Sequence, residues 1–346
     1  MTKRVLLTGG AGFVGSHAVR HFLTSTDWEL ILPVTFRHKG LPFRLASAMN
    51  DLEAKGRVTV IMTDLSAPID GYTRSAIGPV DYIVNFASES HVDRSIAEPT
   101  SFIRNNVDVM LNVLEYARKV EPEMLIQIST DEVYGPAPDG YAHREWDPFI
   151  PSNPYSASKA AQEAIAISYW RTYDVPVVLT NTMNMIGEMQ DPEKFVPMVI
   201  QKFLRGEEVP IHASPRGVIG SRFYLHARNL ADACLFLLNR GKPAMYRDGA
   251  DRPDKWHVVG EQEISNLDMA HMIGSLLYEE SGSGNPLRVR LVDFHTSRPG
   301  HDLRYALDGT KISEAGWTPP VELEDSLRKT IQWTLKNELW AVKARG

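Results

Sequence analysis

Short apolar runs alternate with helix-like segments along the first part of the chain. Runs rich in Val, Ile and Leu that end at Gly, Pro or polar residues are typical of buried strands. Such runs occur at 5–8, 30–34, 58–65, 82–88, 124–129 and 177–181. Apolar residues recur at helical spacing from Phe102 to Arg118 and from Tyr155 to about Tyr173. This alternation predicts right-handed βαβ units and therefore an α/β fold with a doubly wound parallel sheet.

The regular alternation fades after residue 182. We expect a strand at 257–259, a Gly- and Pro-rich segment at 210–220, and helices near 197–204, around Cys234, at 266–279 and at 323–335. The pattern predicts a first domain at 1–182, to which some later segments return. A smaller α/β domain is expected mainly at 183–346.

The composition excludes several functional classes. With 43% hydrophobic and 23% charged residues, the 346-residue chain is long enough to bury a globular core. Its net charge of −6 argues against a nonspecific grip on nucleic acid, which needs a concentrated basic surface. Because no stretch approaches the ~20 apolar residues of a membrane-spanning helix, we expect no membrane partner and a cytoplasmic location. The single cysteine, Cys234, lies in an apolar run and is interpreted as a core residue.

A glycine-rich turn follows the first predicted strand. Residues 9–16 read Gly-Gly-Ala-Gly-Phe-Val-Gly-Ser, and a helix-like segment follows at 18–23. Glycines permit a tight turn and a close backbone approach to a pyrophosphate, and a helix N-terminus offers free N–H groups. This context predicts a dinucleotide-binding (Rossmann) turn, with a purely structural turn as the alternative. The candidate cofactor-binding residues are Gly9, Gly12, Phe13, Val14 and Gly15.

The residues after the second strand leave the choice of cofactor open. NAD-binding folds usually place Asp or Glu there to hold the ribose hydroxyls. This chain has Arg37, His38 and Lys39 instead. Arg37 and Lys39 either bind the 2′-phosphate of NADP or belong to a solvated basic loop, so NAD and NADP both remain candidates.

The ends of the third and fourth strands supply further candidate cofactor contacts. Asp64, followed by Leu65, stands where a carboxylate can meet the adenine amine. The fourth strand ends at Phe86, Ala87 and Ser88, and the last two are small enough to let a cofactor lie against the backbone. These residues extend the predicted cofactor site along one edge of the sheet.

Two adjacent carboxylates follow the fifth strand. Asp131 and Glu132 come directly after Thr130, and the later pair Tyr155 and Lys159 is spaced to lie on one face of a helix. Neighbouring carboxylates tend to separate in proton affinity, so that one can act as an acid and the other as a base. A cation close to a tyrosine favours the phenolate. The five residues predict a redox and acid/base site rather than a solvated surface turn.

Four segments carry a resemblance to a known family. They are 88–96 (SESHVDRSI), 129–135 (STDEVYG), 154–160 (PYSASKA) and 298–302 (RPGHD). Together with the glycine turn they resemble the extended short-chain dehydrogenases/reductases, and among these the nucleotide-sugar 4,6-dehydratases, above all those that act on dTDP-glucose. The Asp-Glu pair after Thr130 distinguishes the 4,6-dehydratases from the sister 4-epimerases and decarboxylases, which usually lack it. The likeness covers nearly the whole chain.

The resemblance implies a tightly held nicotinamide cofactor and a role for each catalytic candidate. Tyr155 would take the proton of the sugar C4 hydroxyl as hydride leaves C4, with Lys159 favouring the phenolate and Thr130 holding the C4 oxygen. Glu132 would then remove the C5 proton, and Asp131 would protonate the departing C6 hydroxyl. Hydride returns to C6, and a 4-keto-6-deoxy sugar results.

The resemblance also implies contacts to a nucleotide-sugar substrate, made mainly by the second domain. The candidates are His91, Asn184, Lys194, Arg222, Asn266, Arg298 and His301. Arg222 and Arg298 suit forked pyrophosphate binding, with surface ion pairs as the alternative. Departures from the family pattern concentrate at 183–224. The nucleotide base therefore stays open between thymidine, uridine and another base.

The expected assembly and the rival functions complete the hypothesis. The resemblance implies a homodimer, through the helices that start near Phe102 and Tyr155, and no metal site. An epimerase or a decarboxylase of nucleotide sugars on the same scaffold is the enzymatic alternative. The alternative from another class is a noncatalytic cofactor-sensing protein, which would have little reason to keep the five catalytic candidates together.

Overall fold

A seven-stranded sheet forms the centre of the molecule. The computed structural model describes residues 2–50, 52, 56–282, 286–293, 303–337 and 340. Numbered in chain order, the strands of this sheet are β1 (Arg4–Thr8), β2 (Glu29–Val34), β3 (Val58–Met62), β4 (Tyr82–Asn85), β5 (Met124–Thr130), β6 (Val177–Thr182) and β10 (Asp254–Val258). Their order is β10-β6-β5-β4-β1-β2-β3, and all neighbours are parallel. The strand order reverses between β1 and β4, so a crevice opens at their carboxyl ends.

Helices cover both faces of this sheet. They are α1 (Phe13–Ser25), α2 (Pro42–Met49), α3 (Gly71–Ile77), α4 (Val92–Ala97), α5 (Pro99–Val120), α6 (Pro154–Tyr173) and α8 (Ala227–Leu238). Because successive residues of a strand face opposite sides, each strand contributes to two cores. Leu7 packs in one apolar cluster with Phe22 of α1, and Leu6 packs in another with Leu114 of α5. The prediction of a doubly wound α/β fold is confirmed.

Smaller sheets and further helices follow β6. A three-stranded sheet has the order β11-β9-β7, and β8 and β12 form a parallel pair. These strands are β7 (Asn184–Ile186), β8 (Val209–Ala213), β9 (Ser221–His226), β11 (Glu263–Ser265) and β12 (Val289–Asp293). The helices are α7 (Phe195–Leu204), α9 (Asn266–Ser281), α10 (Thr310–Glu314) and α11 (Leu323–Lys336). They bury an apolar core of their own, to which Phe203, Ile273 and Leu327 belong.

The predicted elements differ from the observed ones mainly in the second half of the chain. No strand is predicted in the Gly- and Pro-rich segment 210–220, but Val209–Ala213 forms β8. Its partner is β12, about eighty residues later in the chain, so no local sequence pattern predicts the pairing. In the first half, the third strand ends at Met62 rather than at residue 65.

Segments from both halves of the chain meet around the central sheet. Strand β10 pairs with β6, and Leu230 of α8 packs in the same apolar cluster as Phe22 of α1. The division at residue 182 stays a prediction. Within the described part of the chain, no helix is both long and apolar enough to cross a membrane.

Candidate active site

The glycine turn closes tightly between β1 and α1. Gly9 has a φ of +68°, and its carbonyl oxygen accepts a hydrogen bond from the N–H of Gly12 at 2.8 Å. A Cβ atom on Gly15 would lie 2.1 Å from that carbonyl oxygen. Gly12 is the N-cap residue of α1, whose first N–H groups have no partner within the helix. The missing side chains leave these groups accessible to a pyrophosphate, so the turn fits a dinucleotide.

A cavity of about 680 Å³ extends from this turn to the two carboxylates. All candidate cofactor residues line it: Gly9, Gly12, Phe13, Val14, Gly15, Arg37, Lys39, Asp64, Leu65, Phe86, Ala87, Ser88, Tyr155 and Lys159. Thr130, Asp131 and Glu132 line it too. The size is that of a ligand pocket, and the structure brings the two predicted groups of residues to one site.

Both cations after β2 pair with carboxylates. The guanidinium of Arg37 lies 2.5 Å from Oδ2 of Asp64 and donates to Oγ of Ser66 at 3.2 Å. The ammonium of Lys39 lies 3.0 Å from Oε1 of Glu193 and 3.6 Å from Oδ1 of Asp191. A 2′-phosphate bound here would compete with these carboxylates for the two cations.

The residues Thr130, Asp131 and Glu132 lie where β5 passes into a 3-10 turn, Asp131–Tyr134. The Thr130 hydroxyl donates to Oδ1 of Asp131 at 2.8 Å, and the N–H of Glu132 donates to the same oxygen at 3.0 Å. Oδ2 of Asp131 is buried and accepts no hydrogen bond from the described residues. Burial, and next the charge of Glu132, raise the pKa of Asp131 to about 7. Asp131 can therefore hold a proton near neutral pH and offer it to a ligand.

Helix α6 begins with a capping box that also contacts the carboxylate pair. Oδ1 of Asn153 accepts from the N–H of Ser156 at 2.9 Å, and Oγ of Ser156 accepts from the N–H of Asn153 at 3.1 Å. Nδ2 of Asn153 donates to Oε2 of Glu132 at 3.0 Å. Asn153 was not among the candidate site residues. The Asn-Pro dipeptide before the helix could have predicted the cap, although not its contact with Glu132.

Tyr155 and Lys159 lie in the first turns of α6, beside β5. Tyr155 is hydrogen-bonded to the Thr130 side chain, and burial, followed by the charge of Glu132, raises the pKa of Tyr155 well above its usual range. Nζ of Lys159 donates to the carbonyl of Ile128 at 2.7 Å and to Oε1 of Gln162 at 2.6 Å. Burial lowers the pKa of Lys159 to about 7. Near neutral pH the site thus holds a carboxyl group that can keep its proton and a lysine that can lose its proton.

Three of the substrate candidates line the cavity, namely His91, Asn184 and Lys194. The ammonium of Lys194 donates to the carbonyl of Ser90 at 3.4 Å, and Nε2 of His91 lies 3.7 Å from Oε1 of Glu193. These contacts join the loop after β4 to the segment before α7. Both segments therefore border the same opening.

Two other substrate candidates, Arg222 and Asn266, do not line this cavity. Arg222 is buried on β9 and donates to the carbonyls of Ser221 at 2.6 Å and Leu303 at 2.5 Å. Its charge still acts on Asp131, where it opposes the rise in the pKa. Asn266, at the start of α9, accepts from the hydroxyl of Tyr224 at 3.1 Å. Arg298 and His301 lie outside the described residues.

A buried ion pair behind the site was missed by the sequence analysis. Nζ of Lys255 lies 2.8 Å from Oε2 of Glu163, and both side chains are fully buried. Oε1 of Glu163 accepts from Ser129 at 2.5 Å and from Asn181 at 2.7 Å, and Asn181 also donates to the carbonyl of Thr130 at 3.0 Å. The pair thus fixes the end of β5, from which the catalytic turn begins. Lys255 is ninety-two residues away from Glu163 in the chain, so sequence spacing gives no signal for it.

Two histidines and a glutamate cluster beside α1 in an arrangement that could suggest a metal site. The ligand atoms of His17, Glu188 and His226 lie within 4.8 Å of one another. Nε2 of His17 faces the carbonyl of Glu188 at 2.9 Å, and Nδ1 of His226 accepts from the N–H of Arg228 at 3.0 Å. Nε2 of each neutral ring must therefore carry the hydrogen, and His226 donates it to Glu188 at 2.9 Å. Hydrogen bonds to Glu188 and to the backbone therefore account for the positions of the two histidine rings.

Comparison with known proteins places the chain in a family. A family model described as GDP-mannose 4,6 dehydratase matches residues 6–330. A probable dTDP-glucose 4,6-dehydratase from Sinorhizobium fredii is 33% identical over 97% of this chain and 94% of its own. The chain belongs to the nucleotide-sugar 4,6-dehydratases. The dehydratase is thus an enzyme of the extended short-chain dehydrogenase/reductase type.

Solved structures of related dehydratases share the fold of this dehydratase. The dTDP-glucose 4,6-dehydratase DesIV from Streptomyces venezuelae, which has NAD bound, aligns with a TM-score of 0.83 and 32% identity over 99% of both chains. The enzyme from Bacillus anthracis, in complex with NAD, aligns with a TM-score of 0.81 and 28% identity, covering 99% of this chain and 100% of its own. The likeness covers both halves of the chain, and the resemblance inferred from the motifs is confirmed.

Proposed function

We propose that this dehydratase converts an NDP-hexose, most simply dTDP-glucose, to the 4-keto-6-deoxy sugar. One observation carries the proposal: Oδ2 of Asp131, which accepts no hydrogen bond from the described residues, lies in the turn that also bears Glu132, beside Tyr155. An elimination across two adjacent carbons needs an acid and a base next to each other. The names of the relatives support dTDP-glucose as the substrate.

Oxidation at C4 begins the proposed reaction. Tyr155 takes the proton of the C4 hydroxyl, and Thr130, which is hydrogen-bonded to Tyr155, holds the C4 oxygen. The ammonium of Lys159 stabilises the phenolate electrostatically. Held at the glycine turn, a nicotinamide cofactor would supply the acceptor for hydride from C4 and the donor of hydride to C6.

Elimination of water follows, because the C4 ketone acidifies the C5 proton. Glu132, oriented by Asn153, removes this proton. Asp131 gives its proton to the C6 hydroxyl, the C6–O bond breaks, and water leaves. As C6 is reduced, Glu132 returns a proton to C5. The proton taken by Tyr155 then replaces, through solvent, the one that Asp131 gave, so protons and electrons balance. The raised pKa of Asp131, about 7, keeps the acid loaded at neutral pH.

NAD is the cofactor we propose, although the cations after β2 left NADP open. The pairing of Arg37 with Asp64 and of Lys39 with Glu193 supports NAD, since each cation already has a carboxylate partner with which a 2′-phosphate would compete. Denaturing the purified protein and identifying the released nucleotide by mass tests this. NAD is the expected result, and NADP would contradict the proposal.

We also propose a homodimer assembled through α5 and α6. Half-buried apolar residues recur every four positions along α5, at Ile103, Val107 and Leu111, and this surface is available to a second copy. Sedimentation of the purified protein is expected to give the mass of two chains. A monomer at every concentration would remove the proposal.

A panel of NDP-hexoses tests the function. The purified protein is incubated with dTDP-, UDP- and GDP-linked hexoses, and the product mass is followed. Loss of one water from the dTDP sugar, without added cofactor, is the expected result. An unchanged mass with altered sugar stereochemistry would indicate an epimerase, and loss of carbon dioxide from a uronic acid substrate would indicate a decarboxylase.

A further inference from the structure

Gln162 contacts Lys159 through an amide whose orientation is fixed. It lies one turn further along α6 and is fully buried. Its Oε1 accepts from Nζ of Lys159 at 2.6 Å, while its Nε2 donates to the backbone carbonyl of Asn106 at 2.6 Å. A carbonyl can only accept, so the amide cannot turn around without setting its oxygen against the carbonyl of Asn106 and its NH2 group against the ammonium of Lys159. Lys159 therefore always faces an oxygen that carries no net charge.

A row of buried polar side chains across the sheet fixes the same orientation. Thr8, Asn85 and Gln127 are neighbours on β1, β4 and β5. The Thr8 hydroxyl donates to Asn85 at 2.5 Å, the Asn85 amide donates to Gln127 at 2.6 Å, and Gln127 donates to Oε1 of Gln162 at 3.2 Å. Thr8 in turn accepts from the N–H of Ala87, which lines the cofactor cavity. Every donor in the row faces toward Gln162, and the last of them, Gln127, shares the acceptors Gln162 and Ile128 with Lys159.

We propose that Gln162 is a positioning residue for Lys159: its locked, uncharged oxygen holds the ammonium in place without neutralising the charge that acts on Tyr155. A carboxylate at this position would accept the same hydrogen bond but would cancel much of that charge. An apolar side chain would leave the ammonium with one acceptor fewer in a buried place. For its catalytic consequence, this inference rests on the proposed function.

The charged groups around Tyr155 and Lys159 make this arrangement necessary. Asp131 and Glu132 face them from the turn after β5, and both disfavour the phenolate of Tyr155. Glu163, on α6, is paired with Lys255 of β10. From α5 comes the backbone carbonyl of Asn106, and from β4 and β1 come the side chains of Asn85 and Thr8, none of which titrates. When protonated, Lys159 thus supplies the positive charge that opposes two carboxylates.

The test measures the ionisation of Lys159 in the cofactor-loaded protein, with no substrate present. The carbon-13 shift of the lysine Cε atoms is followed against pH by NMR, and the Lys159 signal is the one that a Lys159→Arg variant lacks. Gln162→Glu is expected to raise the pH midpoint of Lys159 by about one pH unit, because a carboxylate favours the ammonium. Gln162→Met, which keeps the volume and removes the acceptor, is expected to lower it, because the buried ammonium then has one acceptor fewer. Gln201→Glu on α7 adds the same charge outside the cavity lining and should change nothing.

The outcomes separate this inference from the proposed function. An unchanged Lys159 midpoint in a folded Gln162→Glu protein would overturn the inference, and if that variant does not fold, the same result with Gln162→Met would do so. A purely structural role for Gln162 would lower the urea midpoint and leave the Lys159 titration in place. A shifted titration in a protein whose wild type dehydrates no NDP-hexose would retain the inference and contradict the function.

Discussion

Asp131 is the residue at which burial and chemistry are most closely linked. Its Oδ1 accepts two hydrogen bonds, while Oδ2 is left for a ligand. Asp131→Asn keeps the shape and the Oδ1 contacts but has no acidic proton to donate. We expect the elimination step to slow by about 100-fold or more, and exchange of hydride at C4 to slow much less. Single-turnover assays with C4-deuterated substrate check this, and equal effects on both steps would contradict the separate roles.

The pH dependence of activity should show the same carboxyl. In the proposed reaction Asp131 donates a proton, so the elimination rate should fall as the pH rises through its pKa of about 7. Single-turnover rates across this range measure the effect. In Asp131→Asn the residual elimination rate should no longer fall as the pH rises through 7. An unchanged fall in this variant would show that another group causes it.

At pH 8 the substitution of Asp131 should affect stability and activity in opposite senses. The folded-state pKa, about 7, exceeds the ordinary value of 3.8, so the folded protein binds more protons than the unfolded chain between these values. The contribution of Asp131 to folding is therefore favourable at low pH and is lost as the pH rises through about 7. We expect Asp131→Asn to unfold at higher urea than wild type at pH 8 and at similar urea at pH 4. A less stable variant at pH 8 would contradict this.

The glycine turn is the element on which cofactor binding depends. Gly15→Ala would place a Cβ 2.1 Å from the carbonyl oxygen of Gly9, which is backbone and cannot move aside without opening the turn. We expect this variant to be purified without bound cofactor. Gly71→Ala, at the start of α3 with no atom within 4 Å of the added Cβ, is the matched control and should keep its cofactor. Equal cofactor content in both would show that the turn does not hold it.

Arg44 connects the loop after β2 to the segment before α7. Its buried guanidinium donates to the carbonyl of Met189 at 2.7 Å and to that of Lys39 at 2.7 Å, and it lies 3.1 Å from Oδ2 of Asp191. Arg44→Met should cost about 3 kcal/mol of folding free energy, since Asp191 loses a buried partner. Because Lys39 and Asp191 line the cavity, we also expect faster cofactor release.

The measurements for Arg44→Met are urea unfolding and the rate at which bound cofactor exchanges with labelled cofactor. Arg171→Met, at an exposed position on α6, is the control and should match wild type in both. Loss of stability without faster exchange would restrict Arg44 to a structural role.

The first half of the chain was easier to predict than the second for a physical reason. In the βαβ units, each strand is a continuous apolar run and each neighbour lies a short distance away in sequence. Strand β8 pairs instead with β12, and its Pro210 and His212 are half-buried between buried residues. Local pattern cannot specify such a partner, so the sequence predicts no strand in this Gly- and Pro-rich segment.

At the scale of the whole molecule, the catalytic candidates were predictable because they lie close together in sequence or at helical spacing. The residues that hold these candidates in place were not predictable from the sequence. Gln162, Asn153 and the pair Glu163 and Lys255 act through contacts with side chains and carbonyls that only the folded sheet brings near. Arg222 was chosen by resemblance, and it lies behind the cavity wall, where it can act on Asp131 by charge.

The central claim is that one site removes hydride from C4, eliminates water and returns the same hydride to C6. The most direct test is a single incubation of the purified protein with dTDP-glucose carrying deuterium at C4, without added cofactor. We predict a product that has lost one water and carries the deuterium at C6, as seen by mass spectrometry and NMR. Deuterium that stays at C4, or a substrate that loses no water, would contradict the account.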